Sequence, residues 1–156
     1  MEDVSRILVV SRMTTYCKKA VHYGISLSKK YNAALYIIHV IHNPSGLEGW
    51  TLPPLPSLAT DYSILLKKSK DDIDAAINAE RVQGMEIKEL IREGEPTEVI
   101  LRVVEEENID LIIMLSHEKD RMEHFLFGRS NEELIRKMPC SIFLVKMEPA
   151  IFGVEY

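Results

Sequence analysis

The sequence predicts a single-domain α/β protein: a five-stranded parallel sheet with helices on both faces. Three observations carry that reading. Apolar runs of strand length recur, and they are continuous rather than alternating, as in Ile7–Val10, Leu35–Ile41, Ile109–Leu115 and Cys140–Val145. Such runs suit strands covered on both faces. Between them lie segments with helical periodicity, long enough for the crossovers that join parallel strands. The length of 156 residues fits one hydrophobic core, and no internal repeat or composition break divides it. Residues 1–156 are therefore read as one domain, its core running over about 5–147.

Each element has a local reason. Ile7–Val10 is the first strand, and Ser11 to Thr15 is a polar turn in which Thr14 or Thr15 can cap a helix. Cys17, Ala20, Val21, Gly24, Leu27, Ser28 and Tyr31 then share one helical face, and Asn32 ends that helix. Leu35–Ile41, rich in β-branched residues, is the second strand. The stretch 43–60 changes character, because Pro44, Gly46, Gly49, Pro53, Pro54 and Pro56 oppose regular structure. It holds Trp50 and is longer than an ordinary connection, so it reads as functional, mobile or packed as a flap. A helix follows from Asp61, with Leu65, Leu66, Ser69, Ile73, Ala76, Ile77 and Glu80 on one stripe, closed by Gly84. Met85–Glu93 mixes apolar and charged residues and reads as an edge or half-covered strand. Gly94–Thr97 turns into a helix with Val99, Ile100, Val103 and Val104 inward. Ile109–Leu115, a polar loop, Asn131–Met138 as a helix stopped by Pro139, and Cys140–Val145 complete the chain.

Composition narrows the function classes. A net charge of -5 opposes nucleic-acid binding, which calls for a basic stripe. No apolar stretch reaches the roughly 20 residues of a membrane span, and Met1–Arg6 is too polar for a signal peptide. Cys17 and Cys140 have no metal or redox spacing and read as reduced thiols of a cytoplasmic protein. Cys17 reads as packing, and Cys140 as structural before redox-sensitive. His22, His42 and His124 are scattered and suggest no metal, while His39 reads as a satisfied core residue. Asp71-Asp72 and Glu132-Glu133 are adjacent and diverge on a helix, so neither is a catalytic dyad. Ser11, Ser116 and Ser130 lack a nucleophile-elbow context.

In an open doubly wound sheet, ligands sit beyond the carboxyl ends of the strands. The strand, loop, glycine, helix and strand of Ile109–Val145 form the grammar of a phosphate-binding unit. Here the chain resembles the universal stress protein family. The resembling segments are Ile7–Val10, His39-Val40, Gly94-Glu95-Pro96, Asp110–Met114 and Met138–Val145, in order from Ile7 to Val145. The resemblance implies a Rossmann-like fold of the adenine nucleotide alpha hydrolase-like kind, and a cytosolic stress-response role. In ATP-binding members the loop after the fourth strand reads Gly, two residues, Gly, nine residues, Gly, then Ser or Thr. Counted back from Gly128, those positions are Leu115, Glu118, Gly128 and Arg129 here, with Ser130 one place late. The aspartate that contacts the base in such members falls at Arg12, and Val40 keeps the apolar position against adenine. His117 lies where the family often has histidine and reads as a loop-stabilising hydrogen bonder before a ligand contact.

These departures have physical meaning. Glycines let a phosphate loop approach closely and aim its N–H groups at oxygens, and Leu115 removes some of that access. Glu118 places a negative charge where phosphates would lie. Two like unit charges near 4 Å repel by about 4 kcal/mol at an effective dielectric of 20, enough to erase a typical nucleotide affinity. The preferred reading pairs Arg12 or Arg129 with Glu118 or Asp120, filling the old pocket, with no bound cofactor. The alternative is a nucleotide (ATP or AMP) or other anion binder with Arg12, Lys119, Arg121 and Arg129 as donors. A weak nucleotide hydrolase ranks last, because no base, nucleophile or metal cluster can be assembled.

The closing strand has a second role. An apolar edge invites pairing, and the resemblance implies a homodimer through Ser141, Ile142, Phe143, Leu144 and Val145. The apolar tail 148–156 is expected to pack on its own subunit or the partner, and a further protein partner is expected for a regulatory protein.

Overall fold

The computed structural model describes residues 3–11, 17–41, 56–81, 83–116 and 129–146. Strands and helices alternate throughout: β1 (Arg6–Ser11), α1 (Cys17–Tyr31), β2 (Ala34–Ile41), α2 (Pro56–Glu80), β3 (Ile87–Glu93), α3 (Pro96–Glu106), β4 (Leu111–Leu115), α4 (Arg129–Lys137) and β5 (Ser141–Val145). One sheet results, in the order β3-β2-β1-β4-β5, with every neighbouring pair parallel. The five-stranded parallel α/β fold expected from the sequence is the observed one.

The sheet is covered on both faces, and strand alternation decides which side chain goes where. Ile7, Val9, Leu35, Ile37 and Ile113 point to the layer of α1 and α2, where they meet Ala20, Val21, Ile25, Ile73 and Ile77. Leu8, Val10, Ile38, Ile112 and Met114 point to the opposite layer, packed by Val99, Ile100, Val103 and Val104 of α3 and Leu134 of α4. Burial on both faces explains why β1, β2 and β4 read as continuous apolar runs rather than alternating ones.

Local chemistry fixes the joints. Asp110 Oδ2 accepts from the backbone N–H of Ser5 and of Arg6, each at 2.8 Å, which ties the start of β1 to the start of β4. The Glu95 carboxylate caps α3 by accepting from the Glu98 N–H at 2.8 Å, and Pro96 follows at the first turn. Asn32 closes α1 in a left-handed conformation at φ 54°, as its place in the sequence suggests.

Three expectations need correction. Helix α2 begins at Pro56, so 56–60 are helical and not part of the irregular loop. Proline lacks the N–H that a first turn leaves unpaired anyway, so Pro56 starts a helix it could not interrupt. Helix α4 begins at Arg129, two residues before the expected Asn131. On α1, Ile25 is buried, whereas Tyr31, the last residue of the helix, is 51% exposed at the helix end.

Candidate functional site

Strand order reverses between β1 and β4: from β1 the chain moves one way to β2 and β3, and later the other way to β4 and β5. The crevice beyond the carboxyl ends of β1 and β4 is therefore where this architecture places a ligand. Its described floor is formed by Ser11 at the end of β1, Val40 near the end of β2, and Leu115 and Ser116 at the end of β4. Ser11, Val40 and Leu115 are buried. Val40 joins Val10 and Met114 in the α3/α4 layer, whereas Leu115 packs in the α1/α2 layer.

Sequence reasoning missed how the ends of this crevice are held. Asn131, buried on the first turn of α4, donates from Nδ2 to the Leu115 carbonyl at 2.8 Å. That bond joins the end of β4 to the beginning of α4, although the chain between them runs through 117–128. On the other side, the Ser116 N–H donates to the Val145 carbonyl at 2.9 Å, and Ser116 Oγ reaches the same oxygen at 3.2 Å. The backbone of Arg129 and Ser130 lies in the first turn of α4, so that helix amino terminus opens at the switch point. Arg12, His117, Glu118 and Gly128 lie outside the described residues. So do Lys119, Asp120, Arg121, His42, His124, residues 43–55 with Trp50, and the tail 148–156.

A second cluster was also missed. His39, on β2 beside Val40, is fully buried. Its Nε2 lies 3.1 Å from Glu89 Oε2 on β3, and Lys70 Nζ on α2 donates to the same oxygen at 2.9 Å. Lys70 also donates to Asp74 one turn on. His39 Nδ1 has no hydrogen-bond partner among the described residues, so the expected satisfied histidine is satisfied at one nitrogen. Burial lowers the His39 pKa below 6.5, against the opposing pull of Glu89. Burial works to raise Glu89, but the hydrogen bonds from Lys70 and His39 outweigh it and lower its pKa. Glu89 is thus a carboxylate that can only accept, which assigns the His39 proton to Nε2. The available signal was the i,i+4 spacing of Lys70 and Asp74 on α2.

The remaining dimer candidates, Ser141 to Val145, form β5 at one edge of the sheet, as expected, while β3 occupies the other. Phe143 is 39% and Leu144 45% exposed, pointing to opposite faces of the edge strand. The Phe143 ring leans against Tyr23 of α1, with centroids 5.5 Å apart.

Elsewhere the structure offers less chemistry. A cavity of about 540 Å³ lies between the end of α1 at Ser28 and Asn32 and the turn at Gln83–Glu86, at the amino ends of the strands and away from the crevice. Among the described residues no cluster of His, Cys, Asp and Glu could hold a metal ion. Cys17 is buried and Cys140 partly buried, and burial pushes the Cys140 pKa up, which disfavours the reactive thiolate. No described helix is long and apolar enough to cross a membrane.

Comparison with known proteins agrees with this architecture. The universal stress protein family model matches residues 4–146. A universal stress protein of Methanothermobacter thermautotrophicus is 29% identical over 149 residues, covering 94% of this chain and 99% of that protein. Universal stress protein MJ0577 of Methanocaldococcus jannaschii is 36% identical over 63 residues, a match spanning only 40% of this chain and 39% of that protein. Among solved structures, that of MJ0577 superposes with a TM-score of 0.63 at 21% identity, covering 96% of this chain and 100% of that one. A universal stress protein in complex with cAMP superposes with a TM-score of 0.61 at 15% identity, covering 92% and 98%. One from Archaeoglobus fulgidus in complex with dAMP gives 0.58 at 16%, covering 94% and 100%. A family match of this extent, over a sheet of this order, settles the classification: the chain belongs to the universal stress protein family.

Proposed function

We propose that this protein is a cytosolic, homodimeric stress-response protein that acts by binding and regulation, with a nucleotide site that no longer holds ATP in the usual manner of its family. The carrying observation is the contrast between the two sheet edges. At β5, an edge with no further strand among the described residues, Phe143 and Leu144 are half-exposed beside Tyr23 at 37% exposure. At β3 the edge sequence is charged. A two-fold antiparallel self-pairing centred on β3 sets Lys88 against Arg92 or Glu89 against Glu93, and like charges directly opposite destabilise a sheet. Neutral Ser141–Val145 carries no such penalty, so symmetric pairing favours β5. Sedimentation equilibrium tests this directly. The native chain should sediment at twice 17.9 kDa, and Phe143→Asp with Leu144→Asp should give a folded monomer. A monomeric native protein, or a dimer unaffected by both changes, overturns it.

The impaired site is supported by Glu118 and Leu115 standing where glycines serve in ATP-binding relatives, and by Arg12 in place of the base-binding aspartate. A second reading has its own support, in the α4 amino terminus that opens at the switch point. Relatives solved with cAMP and dAMP add to it. On that reading the site binds a nucleoside monophosphate or similar anion, with Arg12 or Arg129 as donor. Calorimetric titration with AMP and cAMP separates the two. Saturable heat that is lost in Arg129→Ala supports the anion site, and absence of heat supports the filled pocket.

A further inference from the structure

We infer that the buried His39, with Glu89, Lys70 and Asp74, forms an acid-sensitive latch that fastens α2 and the edge strand β3 to the sheet and releases them when His39 is protonated. The geometry gives the reason. One oxygen, Glu89 Oε2, receives both His39 Nε2 at 3.1 Å and Lys70 Nζ at 2.9 Å, so a single carboxylate joins β2, β3 and α2. Asp74 holds Lys70 from within α2. Among the described residues, the charged groups acting on His39 are Glu89 on β3 and Lys70 and Asp74 on α2. β1 brings its register partner Ser11, and α1 brings Cys17, Ala20 and Val21 to the same layer.

Neutral His39 fits this site, because its one proton goes to Glu89. Protonation adds a second N–H at Nδ1, which has no acceptor among the described residues, and it adds a positive charge on a fully buried ring. The new cation also shares its carboxylate with the Lys70 ammonium. Glu89 and Asp74 oppose this cost, but burial outweighs them, so the ring stays neutral at pH 7 and takes its proton only on acidification. Relief comes when the ring reaches water, and the way out lies past Glu89 and Lys70, both partly exposed. Ile73 and Ile77 of α2 pack in the core on the same layer as His39.

Hydrogen exchange of the full-length protein at pH 7.5 and pH 5.0, corrected for intrinsic rates, reads the latch. Protection over α2 and β3 should fall by about tenfold in the native chain, with the α3 side unchanged. His39→Gln, which keeps a donor and cannot titrate, should abolish the pH dependence. Glu89→Gln removes the carboxylate that favours the imidazolium and should move the onset to lower pH. The His39 ring signal in NMR should titrate with the same midpoint as the exchange, a comparison that stands even if a variant fails to fold. Equal pH dependence in His39→Gln, an unmoved onset in Glu89→Gln, or a ring midpoint apart from the exchange midpoint overturns the proposal.

Discussion

Gly24 is the point of closest approach between α1 and the sheet, and the consequence of filling it can be worked from the coordinates. A methyl group added there would stand 2.3 Å from Val9 Cγ2 and 3.2 Å from Leu35 Cδ1. Val9 and Leu35 are both fully buried. Val9 is β-branched, so its methyl groups have no free rotamer to turn into, and the helix must move instead. On an open helix, Gly→Ala stabilises by about 1 kcal/mol, whereas overpacking a core costs about 1–3 kcal/mol. Because neither neighbour can yield, the upper end of that range applies, and Gly24→Ala should destabilise by about 1–2 kcal/mol net. Urea unfolding at fixed protein concentration would show this as a lower midpoint with an unchanged slope. Val9→Ala removes the obstructing methyl groups, so the double variant should be more stable than the sum of the singles by about 1 kcal/mol. A stability for Gly24→Ala at or above that of the native chain, or strict additivity with Val9→Ala, would refute the helix–sheet spacing described here.

Other joints make sharper or simpler predictions. Asn131→Ala leaves the buried Leu115 carbonyl without its donor and should cost about 1–3 kcal/mol in the same unfolding assay. Asn131→Asp should cost at least as much, because an ionised carboxylate cannot donate. Glu95→Ala removes the α3 cap and should cost about 1 kcal/mol, seen as faster amide exchange over the first turn at 96–99. The pH dependence has a definite sign. His39 has a folded pKa below its unfolded value of 6.5, so the unfolded state takes up protons first on acidification. Its contribution is present above pH 6.5 and is lost as pH falls below it, and the fall should vanish in His39→Gln.

The fold was legible because the strands announce themselves. β1, β2 and β4 are buried on both faces and therefore mostly apolar, and Gly94-Glu95-Pro96 and Asn32 mark helix boundaries by their backbone chemistry. Pro56 misled because the same residue that breaks a helix inside can open one. Less of the candidate site was legible. The sequence flags Arg12, Glu118 and Arg129 as departures from a pattern, but it cannot say that Asn131 reaches back to Leu115. Nor does it show that Glu89 and Lys70 meet His39, since 50 residues separate Glu89 from His39 and 19 separate it from Lys70. Such contacts arise from β2 lying beside β3 with α2 above them, which is a property of topology rather than of spacing.

We propose that the crevice no longer holds ATP in the usual manner of the family. A thermal-shift titration of the native protein with ATP and magnesium, up to millimolar ligand and against a magnesium-only control, tests it most directly. No saturable stabilisation is expected. A shift that saturates, approaching the roughly 2.7 kcal/mol expected at ligand a hundredfold above the dissociation constant, would contradict it.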